Sequence, residues 1–230
     1  CTGDTDQPLC CPNDQRYLPT LRFLTRIDAS HKVEKTTGNL HKMFQEIDPA
    51  TLPVVSDPQR ATRGWERFAE ALGKADDGQA VEALEVLRQS PGLERLLDTV
   101  FDHSPYLTAA LCRQPLFGIE LLQSDPDRIV PAELDQLRKT LIPAESITAI
   151  MKRLRQSRDR GAIAVALTDI SGLWSLEAVT GAISDLADAT VNSAIAYLLR
   201  QAHDKGDIVL PDPETPCSGC GFTALGMGKQ

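Results

Sequence analysis

The chain has 230 residues, of which 42% are hydrophobic and 24% charged, so one large or two small domains could bury most of their apolar surface. Its net charge of −8 argues against a nucleic-acid partner, because non-specific binding to a polyanion depends on surplus Lys and Arg. No apolar run approaches the ~18 residues of a membrane span, and no signal-peptide core occurs near the start. We therefore expect a cytoplasmic protein without a membrane partner.

The composition favours a mainly α fold over a β-sandwich, because aromatic residues are few (5%) and Leu and Ala are plentiful. Residues 1–42 precede the first methionine, Met43, are rich in Thr, Asp and Pro, and show no sustained period. We interpret them as an irregular head, for which two hypotheses stay open: a tail of the protein, or out-of-register translation upstream of the native start. For residues 43–143 we predict an N-terminal helical region.

Apolar residues recur at helical spacing through this region, and two Ser-Pro pairs mark helix starts. Ser90-Pro91 and Ser104-Pro105 each place a capping hydroxyl before a proline that fits the first helical turn. Further helices are predicted to begin at Pro115, near Pro131 and near Ala144. The positions predicted to face the core are Trp65, Phe68, Ala69, Leu72, Val81, Leu84, Val86, Leu87, Leu93, Leu96, Leu97, Val100, Tyr106, Leu107, Ala110 and Leu111.

Residues 144–206 carry the most regular pattern and predict a long antiparallel helix hairpin, interrupted at Ser171-Gly172. The first helix is predicted over about 144–171, and the second follows the interruption. Apolar positions predicted to face inward are Ile147, Ile150, Met151, Leu154, Ile163, Leu167, Ile170, Leu176, Val179, Ile183, Leu186, Ala187, Thr190, Ala194, Tyr197 and Leu198.

After Gly206 the pattern changes to a proline-rich loop that ends in a glycine-rich turn. The apolar run Phe222–Leu225 predicts a buried strand, and Gly226-Met227-Gly228-Lys229 follows it. A lone strand needs a hydrogen-bonded partner, so we expect the rest of its sheet to lie beyond Gln230. Residues 207–230 are thus interpreted as a loop and the start of a truncated α/β domain.

Glycines after a strand let the backbone approach phosphate, so Gly226, Gly228 and Lys229 are the candidate nucleotide-binding residues. A Walker A loop fails, because Thr223 stands where its first Gly belongs and Gln230 follows the Lys. A dinucleotide fingerprint would need a Gly just after Gln230. A nucleotidyltransferase turn, followed by an Asp-x-Asp strand for Mg²⁺, and a plain strand-to-helix turn both remain open.

Other candidate clusters are weaker, and we predict no catalytic or metal-binding residue in the chain. Two acidic pairs lie in turns or irregular sequence and one on a helix face, where acids are normally solvated. The basic run favours a solvated or salt-bridged face over contact with an anion. The lone C-x-x-C motif favours ordinary loop thiols over a metal site or a redox-active pair. These clusters are Asp4/Asp6, Asp125/Asp127, Asp185/Asp188, the run Lys152, Arg153, Arg155, Arg158 and Arg160, and Cys217/Cys220.

Two stretches resemble bacterial bifunctional glutamine synthetase adenylyltransferases, also called adenylyl-tyrosine phosphorylases. The first runs from Asp102 to Leu107 and continues in Arg113-Gln114-Pro115. The second spans Leu154–Leu186 and contains Ala-Leu-Thr-Asp-Ile-Ser-Gly-Leu-Trp. In the family this region leads into Leu-Gly-Met-Gly-Lys-Leu-Gly, to which Leu225–Lys229 corresponds. The resemblance covers about residues 55–229, and Gln230 departs from it.

The resemblance implies an N-terminal piece of an enzyme with two nucleotidyltransferase heads. One head transfers AMP from ATP to a tyrosine of glutamine synthetase, and the other, phosphorolytic, head removes it, under control of a PII signalling protein. The family uses ATP and Mg²⁺. We expect this chain to belong to the phosphorolytic head and, because no Asp pair follows the turn, to bind no cofactor and be inactive alone. The alternative is a helical protein-interaction module without catalysis.

Overall fold

The computed structural model describes residues 44–139 and 146–225. Within these ranges the fold is all-α, as predicted, and contains no strand. Two short 3₁₀ helices, Phe44–Glu46 and Pro49–Thr51, come first. The α-helices that follow are α1 (Pro58–Lys74), α2 (Gly78–Arg88), α3 (Pro91–His103), α4 (Pro105–Arg113), α5 (Pro115–Leu122), α6 (Pro126–Lys139), α7 (Ile147–Ile170) and α8 (Leu176–Asp204).

The chain divides into two compact units. Of the described residues, the first unit contains 44–136 and 155–186, and the second contains 137–139, 146–154 and 187–225. The predicted segments 43–143, 144–206 and 207–230 therefore stay predictions as domain boundaries. The predicted head, 1–42, lies outside the described residues.

Local capping explains where most helices of the first unit begin. The Asp57 carboxylate accepts from Arg60 N at the start of α1, and Asp77 accepts from Gln79 N and Ala80 N at the start of α2. The Ser104 hydroxyl accepts from Leu107 N and caps α4, as predicted. Ser90 occupies the equivalent place before α3, but its side chain makes no capping hydrogen bond, so Pro91 alone marks that start.

The core of the first unit forms where α1, α3, α4 and α5 meet. Trp65 packs edge-on against Phe101, with ring centroids 5.3 Å apart, and its indole N–H donates to Asp98 at 2.7 Å. Most of the predicted core residues are fully or nearly fully buried. These are Trp65, Phe68, Leu72, Leu84, Leu87, Leu93, Leu96, Leu97, Val100, Leu107, Ala110 and Leu111.

Some predicted positions of the first unit are wrong. Ala69, Val81, Val86 and Tyr106 are exposed, and in α2 the buried stripe runs through Ala80, Leu84 and Leu87 instead. In a short helix whose apolar residues alternate with charged ones, the same sequence is compatible with several apolar faces. Only tertiary packing determines which of these faces is buried. The helix predicted near Pro131 begins at Pro126, with Pro131 inside α6.

The two long helices are confirmed, with α7 starting at Ile147 instead of 144. The Ser146 hydroxyl accepts from Ala149 N at 3.3 Å and sets that start. The turn between α7 and α8 has Gly172 at φ 69°, in the left-handed region that favours glycine. Of the inward positions, Ile150, Ile163, Leu167, Val179 and Tyr197 are buried.

Several other inward positions of α7 and α8 are exposed: Ile147, Met151, Leu176, Ile183 and Leu198. Small side chains occupy much of the buried surface of α8, where Ala189, Ser193 and Ala196 are buried. The Ser193 hydroxyl donates to the Leu137 carbonyl at 2.7 Å, which lets a polar residue sit in the core of the second unit. The prediction for α8 is therefore correct at Val179 and Tyr197 and wrong at Leu176, Ile183 and Leu198, because it gave too much weight to large apolar side chains.

The strand predicted at 222–225 is wrong for this structure, because these residues adopt no helix or strand. A strand requires a neighbour for its backbone N–H and C=O groups, and the described residues provide none. The predicted loop character of residues 207–221 is confirmed.

The Asp102 carboxylate joins α3 to the segment that precedes α1. It accepts from Ser56 N, from the Ser56 hydroxyl at 2.9 Å and from Asp57 N at 3.1 Å, while Arg60 lies 3.4 Å from it. The side chain is fully buried. Burial alone opposes ionisation, but these hydrogen bonds and nearby His103 hold the pKa of Asp102 below its ordinary 3.8.

We predict that Asp102→Asn lowers the stability of the first unit, because a neutral amide oxygen accepts more weakly than Oδ2 from Ser56 and Asp57, and the new NH2 group, in the place of Oδ1, would face the Arg60 guanidinium. A carboxylate with a lowered folded pKa contributes stability above its unfolded value near 3.8, and this is lost as pH falls through the folded value. Urea unfolding at graded pH should therefore show a lower midpoint for the variant at neutral pH and a smaller loss on acidification.

The matched control is Glu70→Gln, because Glu70 forms an exposed pair with Lys74 one helical turn away. Its unfolding midpoint should stay close to that of the parent chain. An Asp102→Asn variant as stable as the parent at neutral pH would contradict this role.

Two glycines of α1 provide a second prediction. A Cβ on Gly64 would overlap the Phe101 side chain, whereas a Cβ on Gly73 would meet nothing within 4 Å. Gly64→Ala should lower the free energy of unfolding by about 1–3 kcal/mol through overpacking. Gly73→Ala should raise it by a few tenths to about 1 kcal/mol through helix propensity. Equal effects of the two substitutions in chemical denaturation would show that α1 does not pack as described.

Candidate functional site

Gly226, Gly228 and Lys229, the predicted phosphate-binding turn, lie outside the described residues, and their role stays a prediction. The structure does describe the loop that leads to them, residues 207–225. We call it the approach loop.

Arg200 of α8 anchors the approach loop through its guanidinium group. Nη1 donates to the Pro213 carbonyl at 2.8 Å and to the Glu214 carboxylate at 3.0 Å, and Nε donates to Asp204 at 3.0 Å. The hydrogen bonds to Asp204 and Glu214 raise the pKa of Arg200 above its ordinary value. One side chain, only 22% exposed, thereby fixes the loop to the last turn of α8.

Two further contacts shape the approach loop. Asp212 accepts from Glu214 N at 2.9 Å and from the Thr215 hydroxyl at 2.7 Å, and these bonds hold the pKa of Asp212 below its ordinary value. The backbone N–H of Leu210 donates to His203 Nδ1 at 3.3 Å, and Leu210 itself is buried. The loop thus has a defined conformation up to Thr215, without regular secondary structure.

The C-x-x-C motif lies further along the approach loop. Cys217 and Cys220 are both half-buried and are not joined by a disulfide. The Cys220 thiol donates to the Cys217 carbonyl at 3.2 Å. Among the described residues no group of three or more His, Cys, Asp or Glu side chains could hold a metal ion.

The basic run on α7 contributes Arg158 and Arg160 to ion pairs. Arg158 donates to Asp159 at 3.0 Å, and Arg113 at the end of α4 donates to the same carboxyl group from Nε and Nη2 at 3.0 and 2.8 Å. Burial alone would raise the pKa of Asp159, but the bonds from both arginines hold it below its ordinary value. The predicted salt-bridged face is therefore confirmed for this part of the run, while Lys152 and Arg155 are exposed.

Arg160 completes the network between α7 and neighbouring helices. It lies 3.3 Å from the Glu133 carboxylate and stacks on the Phe117 ring, 5.2 Å from its centroid. Burial raises the pKa of Glu133, whose Oε2 atom is buried without a hydrogen-bond partner. The Arg113-Gln114-Pro115 motif is part of the same network, because Gln114 accepts from Arg160 at 3.5 Å.

The acidic pairs serve structural purposes where they are described. Asp125 accepts from Asp127 N at the start of α6, and Asp127 accepts from the Trp174 indole N–H at 2.6 Å, which ties the turn between α7 and α8 to α6. Asp188 is exposed, and Asp4 and Asp6 lie outside the described residues. The contact between Asp127 and Trp174 could not be recognised from spacing, because the two residues lie 47 positions apart in the chain.

A cleft of about 430 Å³ opens beside the ends of α1 and α4. Its lining includes Arg67, Glu70, Lys74, Cys112 and Arg113. Lys74 and Arg113 are the last residues of their helices, where a cation is favourable to the helix dipole, and each already pairs with a carboxylate. Burial raises the pKa of the Cys112 thiol, which disfavours its nucleophilic thiolate form.

The comparison with known proteins identifies the family. Residues 94–230, which include the Arg113–Asp159 network and the approach loop, match the family described as glutamate-ammonia ligase adenylyltransferase. The chain belongs to this family. The resemblance seen in the sequence is therefore confirmed, and its Asp-His-Ser-Pro and Arg-Gln-Pro motifs act as structural contacts.

Relatives in this adenylyltransferase family carry the name bifunctional glutamine synthetase adenylyltransferase/adenylyl-removing enzyme. The one from Bradyrhizobium diazoefficiens is 35% identical over 169 residues, 74% of this chain and 17% of the relative. Those from Rhodopseudomonas palustris and Brucella suis are 31% and 29% identical over 77% and 84% of the chain, and 18% and 19% of their own lengths. The chain thus spans less than a fifth of the length of these relatives.

No solved structure is significantly similar to this member of the adenylyltransferase family. None of the helices in the described part combines the length and hydropathy needed to cross a bilayer.

We predict that Arg113→Gln lowers the free energy of unfolding by about 1–2 kcal/mol, because it removes charge-assisted hydrogen bonds from a nearly buried carboxylate. Arg155→Gln, an exposed position on the same basic run, should change it by less than about 0.5 kcal/mol. Chemical denaturation of both variants tests this. If Arg113→Gln unfolds at the same denaturant concentration as Arg155→Gln, the network does not stabilise the fold.

Proposed function

We propose that this chain is part of an enzyme that adds AMP to a tyrosine of glutamine synthetase and removes it again. The observation that carries the proposal is the family match over residues 94–230, together with relatives named for both activities. The chain's own segment, ending in the Gly-x-Gly-Lys turn, is assigned to the phosphorolytic head, which removes AMP. ATP and Mg²⁺ as cofactors, PII as regulator and the cytoplasm as location follow from the same resemblance.

Within this proposal, Gly226 and Gly228 let the backbone approach a phosphate group, and Lys229 supplies a positive charge to it. Bound phosphate is then oriented towards the phosphorus atom of the AMP–tyrosine ester, where it displaces the tyrosine oxygen. Mg²⁺ would neutralise charge during the transfer. Among the described residues no carboxylate cluster fits the metal.

The described structure supports a positioning role for the helices before the turn. Arg200 and His203 hold the approach loop at the end of α8, so the chain enters the glycine turn from a defined place. A phosphate site gains from such pre-organisation, because charged donors must be in place before the reaction begins.

A helical interaction module without catalysis is the second candidate. It is favoured by the exposed Val191 and Leu198 of α8, which lie seven residues apart and so share one face of the helix. The two candidate functions predict different effects of substituting Lys229. The enzyme should lose activity in AMP removal, whereas a docking module should be unaffected, because docking does not use this residue.

A chimera tests the proposal. The matching stretch of the Bradyrhizobium diazoefficiens relative would be replaced by this chain's residues, and both the transfer of AMP to glutamine synthetase and its removal with phosphate would be assayed. We expect Lys229→Ala to lower kcat for removal by roughly 10²-fold, as for loss of one charge-stabilising donor, with little effect on transfer.

The matched control is Lys205→Ala, an exposed lysine at the end of α8, which should change neither rate. A chimera that removes AMP equally well with Lys229→Ala would contradict the phosphate-binding role and favour the docking module. Loss of transfer without loss of removal would contradict the assignment to the phosphorolytic head. This chain by itself should turn over neither substrate.

A further inference from the structure

The two cysteines of the approach loop lie three residues apart in a turn. Residues 216–219 have turn conformation, and Gly219 has φ 62°, in the left-handed region that glycine adopts without strain. Cys217 and Cys220 are separated by two turn residues, Ser218 and Gly219, as the first and last residues of a β-turn are. The Cα atoms at the ends of a β-turn lie within about 7 Å, and disulfides span about 4.4–6.8 Å between Cα atoms. The backbone here is therefore compatible with a bond between Cys217 and Cys220.

The side chain of Cys220 already points back at Cys217. Its thiol donates to the Cys217 carbonyl at 3.2 Å, and Phe222 N donates to the Cys220 sulfur at 3.4 Å. Both cysteines are half-buried, so part of each remains accessible to a small molecule. The contact keeps Cys220 next to the residue with which it would be bonded.

The rest of the approach loop holds this turn in place. Arg200 fixes Pro213 and Glu214, the Asp212 carboxylate accepts from Thr215, and Ser218 N donates to the Thr215 carbonyl at 2.8 Å. A thiol held near its partner reacts with a high effective concentration, on the order of millimolar or more. This favours closure within the chain over reaction with outside thiols.

We propose that Cys217 and Cys220 are a redox-active dithiol that closes an intrachain disulfide with a small disulfide oxidant such as oxidised glutathione. The thiolate of one cysteine attacks a sulfur of oxidised glutathione, and one glutathione thiolate leaves. The second cysteine thiolate then attacks the protein sulfur of this mixed disulfide and releases the second glutathione. Two protein thiols are oxidised, one glutathione disulfide is reduced, and the two protons pass to the released glutathiones.

The position of the dithiol gives the disulfide a consequence. The dithiol lies shortly before Gly226, so a disulfide would restrict the backbone conformation of the turn that precedes the predicted phosphate-binding residues. This consequence rests on the proposed function, whereas formation of the disulfide does not. The test below measures the disulfide itself, so its failure is distinct from failure of the proposed function.

The chain offers a direct experiment, because trypsin would release residues 206–229 as one peptide that contains both cysteines. Cys112 lies in the separate peptide 96–113, and Cys1, Cys10 and Cys11 lie in 1–16. The folded chain would be equilibrated in glutathione buffers of graded ratio with a chelator present, alkylated, digested and weighed by mass spectrometry.

We expect peptide 206–229 to escape alkylation, with a mass two hydrogen atoms below that of the unalkylated dithiol, at an oxidised-to-reduced ratio about tenfold below that at which Cys112 acquires glutathione. Cys112 is the matched control, because its half-buried thiol has no second cysteine three residues away, and Cys112→Ser should leave the result unchanged. Cys220→Ser should abolish formation of the intrachain disulfide and leave a glutathione adduct on Cys217.

Three outcomes would overturn the proposal. The first is glutathione adducts on 206–229 without the intrachain disulfide, and the second is oxidation of 206–229 no earlier than that of Cys112. The third is a cross-link between 206–229 and 1–16 in place of the internal bond.

Discussion

The buried carboxylate of Asp102 is the group around which the first unit is arranged. It accepts hydrogen bonds from Ser56 and Asp57 and lies beside Arg60, so the end of α3, the start of α1 and the connecting segment meet at one charge. His103 contacts the Val54 carbonyl at 2.9 Å, and Ser104 caps α4. Three consecutive residues thus fix three elements. The hydrogen bonds to Oδ2 and the Arg60 guanidinium, 3.4 Å from Oδ1, offset the burial of the charge, although Oδ1 itself accepts no hydrogen bond.

A second polar network holds α7 against its neighbouring helices. Arg113 and Arg158 share Asp159, while Arg160 lies against Glu133 and the Phe117 ring. The motifs that carry the family resemblance therefore stabilise the helical part, whereas the proposed phosphate binding is assigned to the Gly-x-Gly-Lys turn that follows it. The approach loop, anchored by Arg200, leads from the helical part towards that turn.

The helices could be predicted from the sequence because proline, capping residues and apolar spacing are local signals. Asp57, Asp77 and Ser104 each cap a helix within three residues of themselves. The buried faces of α2 and α8 could be predicted only in part, since Ala80 and Ser193 become buried only through packing with distant residues. The same holds for the contacts of Asp102 with Ser56, Asp57 and Arg60 and of Asp159 with Arg113, which join residues 42–46 positions apart. The family was recognisable from its motifs, whereas the contacts that these motifs make were not.

Chemical labelling of lysines tests the central claim, that the Gly-x-Gly-Lys turn binds phosphate. Pyridoxal phosphate forms an imine with lysines in phosphate sites, and borohydride fixes it for peptide mapping of the chimera. The account predicts that Lys229 is labelled and that inorganic phosphate protects it, while the exposed Lys152 and Lys205 are labelled equally with and without phosphate. Labelling of Lys229 that phosphate does not reduce, or protection of Lys152 or Lys205 instead, would contradict it.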